Sequence, residues 1–352
     1  MEKMKILLVK LSSIGDIVHT LPAFAAVRDA FPTDEISWVV ESGSAEILRG
    51  NHLIDHLIEI DTRSKRSIRT IDETIRALGQ QVRELRKTKF DVAIDFQGLI
   101  KSAAIAKLSG AKRRYGFARG DLREPAGRFV MTHTVEVPPK THIIRKNLLL
   151  AEKALGFTAP EDELKFPIMT GASDRFEAEA VIQRAGGAFA LLNPAGGWTT
   201  KLWPAERFGA LADLIYEKTG LASVITTGPK ESALGEAVLK SSRSSRIIST
   251  APGLKAFYEL ARRASVYVGG DTGPTHIAIA AGAPVVGIFG PTEWWRNGSP
   301  RSADIVVERN DIGCRVDCHR RTCSNWICLD IEPETVLNAV LARLNSAVPA
   351  GV

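Results

Sequence analysis

The chain has 352 residues, of which 45% are hydrophobic and 24% charged, with a formal net charge of +6. That length exceeds one ordinary core and suggests two domains of roughly 150 residues each, while the apolar and charged content excludes a disordered or fibrous chain. No stretch reaches the roughly 20 uninterrupted apolar residues of a membrane span, the opening MEKMKILLVKLSS lacks the apolar core and cleavage pattern of a secretion signal, and the expected location is the cytoplasm.

Apolar runs alternating with helical periodicity predict βαβ units and parallel sheets. The first strand, Lys5 to Lys10, breaks into Leu11-Ser12-Ser13-Ile14-Gly15-Asp16 and resumes as a helix over 17–30. Further strands are predicted at 36–40, 57–60, 92–95 and 114–117, with helices at 45–49, 67–87, 100–108 and 141–155. A Pro- and charge-rich stretch, FTAPEDELKFPIMTGASD, then reads as a linker. The second half repeats the plan, with strands at 189–192, 223–226, 246–248, 266–268 and 285–289 and helices at 205–218, 231–240, 254–263 and 275–281. A last helix, 332–344, follows Asp330 and has an acidic first turn. The economical architecture is α/β: two Rossmann-like domains with parallel sheets facing a central cleft. The expected divisions are 1–160, a linker at 161–178, 179–331, and a terminal helical segment at 332–352.

Three turns carry candidate chemistry. Asp16 sits at a strand-to-helix turn on the carboxyl edge of a parallel sheet, where open α/β folds place reacting groups. It suits a helix N-cap as well as a base that takes a hydroxyl proton. The segment NPAGGWTTK follows a strand, and its Gly196 and Gly197 permit close backbone approach while Lys201 brings a cation to the same place. A Gly-Gly turn also serves structure alone. GGDTGPTH, residues 269–276, is more specific: Thr272 offers a hydroxyl, and the amides at a helix start favour an anion, a diphosphate being the natural candidate. A plain N-cap is the other reading. Neither a P-loop nor a G-x-G-x-x-G pattern is present, so neither an ordinary kinase nor a hydride-transfer enzyme is indicated. A carboxylate for an acceptor hydroxyl and an anion-binding turn for a leaving group together describe group transfer from a nucleotide-activated donor.

The positive excess lies in the first 160 residues. Such a half can recruit nucleic acid, anionic lipid or a phosphorylated glycan, or form a solvated surface. No stacking motif or recognised nucleic-acid module accompanies it. All four cysteines, Cys314, Cys318, Cys323 and Cys328, fall in one short segment whose spacing differs from paired C-x-x-C knuckles. Free thiols, a structural zinc and disulfides are the three readings, the last disfavoured in a reducing cytosol.

SSIGDIVHTLPA at 12–23, DFQGLIKSA at 95–103, YGFARGDLREPAG at 115–127, TKLWP at 200–204 and GGDTGPTHIAIAAGAPVVGIFGPT at 269–292 occur in this order. Through them the chain resembles the bacterial lipopolysaccharide heptosyltransferases, glycosyltransferase family 9, over nearly its whole length. The resemblance implies a GT-B fold in which the first domain holds the acceptor, the second the nucleotide sugar, and the terminal helix crosses back towards the first. It implies an inverting enzyme that needs no metal or cofactor and moves a heptose from ADP-heptose to a Kdo residue of Kdo-lipid A. Asp16 would be the general base and Lys201 the cation beside the donor phosphates. Gly196, Gly197, Thr200, Glu231, Asp271, Thr272, Gly273 and His276 are then assigned to the nucleotide sugar, and Arg63, Lys65, Arg66, Gln97, Lys101 and Arg123 to the acceptor. A monomer on the cytoplasmic face of the inner membrane, without nucleic acid, is the implied setting. The family's turn usually reads Gly-Leu-Ser-His where this chain has Gly273-Pro274-Thr275-His276; proline is tolerated in a first helical turn because its missing amide would have had no partner. The competing expectation is another GT-B glycosyltransferase, or a sugar-nucleotide epimerase, with a different donor.

Overall fold

Each half of the chain builds its own parallel sheet. The computed structural model describes residues 3–61, 83, 85–160, 163–314, 318 and 320–346, and the chain divides into two units, Met1–Met169 and Thr170–Val352. In the first unit β1 (Lys5–Val9), β2 (Glu35–Glu41), β3 (His56–Ile60), β4 (Val92–Asp95), β5 (Arg113–Phe117) and β6 (His133–Val135) lie in the order β3-β2-β1-β4-β5-β6. In the second, β7 (Phe189–Asn193), β8 (Ala222–Thr226), β9 (Ile247–Thr250), β10 (Val266–Gly270), β11 (Val285–Phe289) and β12 (Ile305–Glu308) lie in the order β12-β11-β10-β7-β8-β9. Every ladder is parallel.

The central strands read as unbroken apolar runs, KILLV and VVGIF among them, because helices cover both faces of such sheets. The helices Ile143–Leu155 and Ala205–Thr219 stop at Gly156 and Gly220, whose φ angles of 74° and 72° are the left-handed caps that glycine adopts without strain. What positions the chemistry is the point of reversal. From β1 the chain builds outward through β2 and β3, then restarts at β4 on the other side of β1; β7 and β10 stand in the same relation. The loops leaving the two central strands of each sheet therefore diverge and leave a crevice at the carboxyl edge.

Differences from the sequence expectation are local. The helix predicted at 17–30 is two, Ile14–Val18 and Leu21–Ala30, with Pro22 in the first turn of the second. The segment at 45–49 is a 3-10 turn, Ser42–Ile47. A helix, Ala172–Ala185, begins inside the stretch read as linker, its face too polar to show a strong period. The edge strands β6 and β12 were not predicted; they are short and only partly buried. Most of the helix expected at 67–87 lies outside the described residues. The terminal helix Pro333–Asn345 packs Val336, Leu337 and Val340 into the second unit's core with Leu211, Ile215 and Val266. Its buried Arg343 donates to Asp304 at 2.9 Å, and Asp304 also accepts from the Val285 amide at 2.9 Å and from Arg301. No described helix is long and apolar enough to cross a membrane.

Candidate active site

At the reversal point of the first sheet, β1 runs out into Lys10 and the chain turns into the short helix that carries Asp16. One Asp16 oxygen, Oδ2, accepts from the Ser13 amide and the Ser13 hydroxyl, both at 2.9 Å, which caps the helix start. The other, Oδ1, has no hydrogen-bond partner among the described residues, and Asp16 is half-buried. Asp16 is therefore not the N-cap that the sequence allowed; Ser13 holds that position, and Asp16 is the third helical residue, reaching back to the Ser13 amide.

From β4, Gln97 reaches across the seam and its Oε1 accepts from the amides of Leu11 and Ser12 at 3.0 and 3.2 Å. Asp95, 1% exposed, accepts from the Gln97 and Gly98 amides and the Ser102 hydroxyl at 2.9, 3.2 and 2.9 Å. Burial nonetheless pushes its carboxyl up to about 6, ahead of those hydrogen bonds and the pull of Lys10. Lys10 is buried too, donating to the Phe96 carbonyl at 2.9 Å. Desolvation holds its ammonium below the usual lysine range, opposed by the charges of Asp16 and Asp95.

Sequence reasoning missed Lys10 and Asp95 as site residues. A lysine closing a strand looks like an ordinary polar terminus, and only the packing shows that it is enclosed. Gln97, assigned to the acceptor, spends its side-chain oxygen on the loop that bears Asp16. Lys101, assigned likewise, pairs with buried Glu41. Arg123 is exposed, beside exposed Arg119, and the Arg128 guanidinium lies 4.6 Å over the ring of Phe129, which is 76% exposed. Arg63, Lys65 and Arg66 lie outside the described residues.

In the second unit the corresponding seam is bridged by charge. Lys201 follows β7 and Asp271 follows β10; Lys201 Nζ donates to Asp271 Oδ2 at 2.5 Å and to its carbonyl at 3.2 Å. Asp271 Oδ1 accepts from Asn297 at 2.7 Å and stands 3.3 Å from His276 Nε2. Burial would raise the Asp271 carboxyl, but the hydrogen bond from His276 and the charge of Lys201 outweigh it and hold the group well below the usual carboxylate range. The Lys201 ammonium also lies 4.3 Å over the Trp198 ring, a cation–π contact the sequence did not flag.

Thr272 caps the helix Gly273–Ala280, whose second residue is Pro274. The Gly273 and Thr275 amides are orphan donors by position. Thr275 donates its hydroxyl to the Gly270 carbonyl and shares a 2.9 Å hydrogen bond with Tyr267, which fixes the turn. A Cβ on Gly270 would stand 3.1 Å from the Lys201 carbonyl, so glycine lets the two loops touch.

Other assigned residues are engaged elsewhere. Thr200 is buried and donates to the Arg320 carbonyl at 2.7 Å. Glu231 folds back on the Gly228 amide at 2.7 Å. A Cβ on Gly196 would meet Leu202 at 2.9 Å, whereas Gly197 is exposed and has open space around it. Asn193, 2% exposed at the end of β7, donates to Thr226 but leaves Oδ1 without a donor among the described residues, as does Asn297. Two buried acceptors beside a fixed cation and free amides suit a polar ligand with hydroxyl or amino donors.

The family model for glycosyltransferase family 9 (heptosyltransferase) matches residues 76–345. Lipopolysaccharide heptosyltransferase 1 of Pseudomonas aeruginosa is 28% identical over 325 residues, covering 91% of this chain and 88% of that protein. The crystal structure of a family 9 glycosyl transferase from Veillonella parvula superposes with a TM-score of 0.83 at 21% identity, covering 99% of both chains. The Escherichia coli heptosyltransferase WaaC with ADP-2-deoxy-2-fluoro heptose gives 0.74 at 23% identity, covering 98% of this chain and 100% of that one. The shared fold is GT-B.

Proposed function

This chain belongs to glycosyltransferase family 9, the heptosyltransferases, and from that premise we propose that it moves a heptose from ADP-heptose to a Kdo residue of the lipopolysaccharide inner core. The observation that carries the reading is the Lys201–Asp271 pair bridging the seam between β7 and β10 beside the amides of Gly273 and Thr275. A fixed cation and orphan amides together suit a diphosphate that gains charge as it departs. Asn193 and Asn297 offer acceptors to the hydroxyls of a sugar or ribose.

On the first unit, Asp16 serves as general base. Its Oδ1 takes the proton of the attacking Kdo hydroxyl, that oxygen bonds to the anomeric carbon, and the bond to the diphosphate breaks, inverting the centre and releasing ADP. Buried Lys10 feels the charges of both Asp16 and Asp95, which supplies a cation near the base. Exposed Arg119 and Arg123, with Arg128 stacked on exposed Phe129, suit an anionic acceptor carried at a lipid surface, and with it a peripheral place on the cytoplasmic face of the inner membrane.

Asp16→Asn tests the base, because the amide oxygen can still accept from Ser13 while the side chain no longer takes a proton. With Kdo-lipid A and ADP-heptose, transfer is expected to fall by roughly 10²–10⁴-fold, with ADP affinity by calorimetry unchanged. Wild-type turnover in this variant would overturn the assignment. Preferential turnover of a UDP-sugar by the unmodified enzyme would overturn the donor.

A further inference from the structure

All four cysteines of the chain line one small surface pocket in the second unit, together with Thr200 and Trp326. Cysteine is among the residue types most often fully buried, yet here Cys314 and Cys323 are exposed and Cys318 and Cys328 are only half-buried, and none is in a disulfide. The segment that presents them has little apolar core of its own: Arg320 to Asn325 are exposed, and its regular structure among the described residues is the single 3-10 turn Ile327–Leu329. A short irregular segment of this kind lacks the buried area to fix itself and commonly relies on a staple. Its anchors to the rest of the unit are informative. The hydroxyls of Thr199 and Thr200 donate to the carbonyls of Arg321 and Arg320 at 3.1 and 2.7 Å, and the Arg321 guanidinium lies 5.1 Å from the ring of Trp198. The segment therefore rests directly on the loop that ends in Lys201.

We propose that Cys314, Cys318, Cys323 and Cys328 bind one zinc ion as a tetrathiolate staple that sets the position of the Thr199–Lys201 loop. Four thiolates from one segment satisfy the tetrahedral preference of this ion and leave no position open for catalysis, so its role is structural. Among the described residues no three His, Cys, Asp or Glu side chains stand close enough to share an ion. Binding must therefore draw the sulfurs inward until each lies about 2.3 Å from the metal, contracting the segment around the pocket it already encloses. The inference does not depend on the identity of donor or acceptor.

The test uses the full chain, produced without an affinity tag and purified without chelator. Elemental analysis is expected to give about one zinc per chain, the stoichiometry of a closed four-ligand site, and Co²⁺ exchange the intense visible bands of a tetrahedral thiolate complex. Cys318→Ser combined with Cys328→Ser should abolish both signals. Zinc should also slow tryptic cleavage at Arg320 and Arg321, and a mercurial thiol reagent should release the ion as it restores cleavage. That protease readout needs no variant, so misfolding of the double substitution would not blur the result. Four freely titrating thiols in metal-free protein that zinc leaves equally cleavable would overturn the proposal. So would iron with acid-labile sulfide in place of zinc, or zinc retained by the double variant.

Discussion

Both sheets carry candidate site residues at the seam between two central strands, β1 against β4 and β7 against β10, and the chain closes the two seams by opposite means. The first is held by a neutral clamp, Gln97 on the amides of Leu11 and Ser12, with Lys10 and Asp95 enclosed behind it at shifted acidities. The second is held by an ion pair, Lys201 on Asp271, in which the carboxylate is fully committed. One topology thus supplies one place for a site twice, and the residues decide what it does. The proposed roles follow that difference: a carboxylate with one unbonded oxygen for proton exchange at the first seam, fixed opposite charges for an anion at the second.

Removing one partner of the charged seam gives the largest expected effect. Asp271→Ala leaves Lys201 with 14% of its side chain exposed and no counterion, a cost of about 3 kcal/mol or somewhat more. Asp271→Ala with Lys201→Met should recover the part of that loss due to the stranded ammonium, while Asn297 and His276 still lack the Asp271 acceptor. Five of the six tryptophans, all but Trp38, belong to the second unit, so fluorescence-detected urea unfolding follows the relevant part. If the single and double variants are equally destabilised, the seam is held by packing and not by charge.

The enclosed acid of the first seam responds to pH instead. Asp95 ionises near 6 in the folded chain against 3.8 ordinarily. The folded state therefore binds the proton more tightly than the unfolded one. The resulting stabilisation is complete below about 4 and is lost as pH rises through about 6, a change of roughly 2–3 kcal/mol. Asp95→Asn stays neutral throughout and should flatten this part of the stability profile of the first unit, measured by hydrogen exchange of β1 and β4 amides at a series of pH values. An unaltered profile would show that Asp95 is not the titrating group.

The sequence carried the architecture because apolar runs and turn residues are local signals. Of the twelve strands among the described residues, ten were foreseen at their cores; β6 and β12, three and four residues long at sheet edges, were not. Asp16, Lys201 and Asp271 drew notice for a related reason: each lies within eight residues of the carboxyl end of an apolar strand. What stayed hidden depends on contacts distant in the chain. Asn297 meets Asp271 across 26 residues and Gln97 meets Leu11 across 86, and nothing near either residue in sequence announces its partner. Thr200 and Glu231 show the same limit from the other side: the sequence gives no sign that the Thr200 hydroxyl donates to the carbonyl of Arg320, 120 residues away, or that the Glu231 carboxylate folds back on the Gly228 amide.

Gln97 gives the smallest effect and the sharpest distinction between the seams. Gln97→Ala removes the acceptor from two amides, but Ser12 is only half-buried, so water replaces part of what is lost and the cost is about 1 kcal/mol. The consequence for catalysis should be larger than for stability, because those amides immediately precede the cap that holds Asp16 Oδ2. A loop free to shift misplaces the proposed base, and kcat/KM for the acceptor is expected to fall by about tenfold or more, while ADP affinity, assigned to the other seam, is expected to stay unchanged. Gln97→Glu keeps an acceptor in place and should retain more activity than Gln97→Ala. A drop in ADP affinity in either variant would instead show that the two seams are coupled before the acceptor arrives, and that the division of labour drawn between them is wrong.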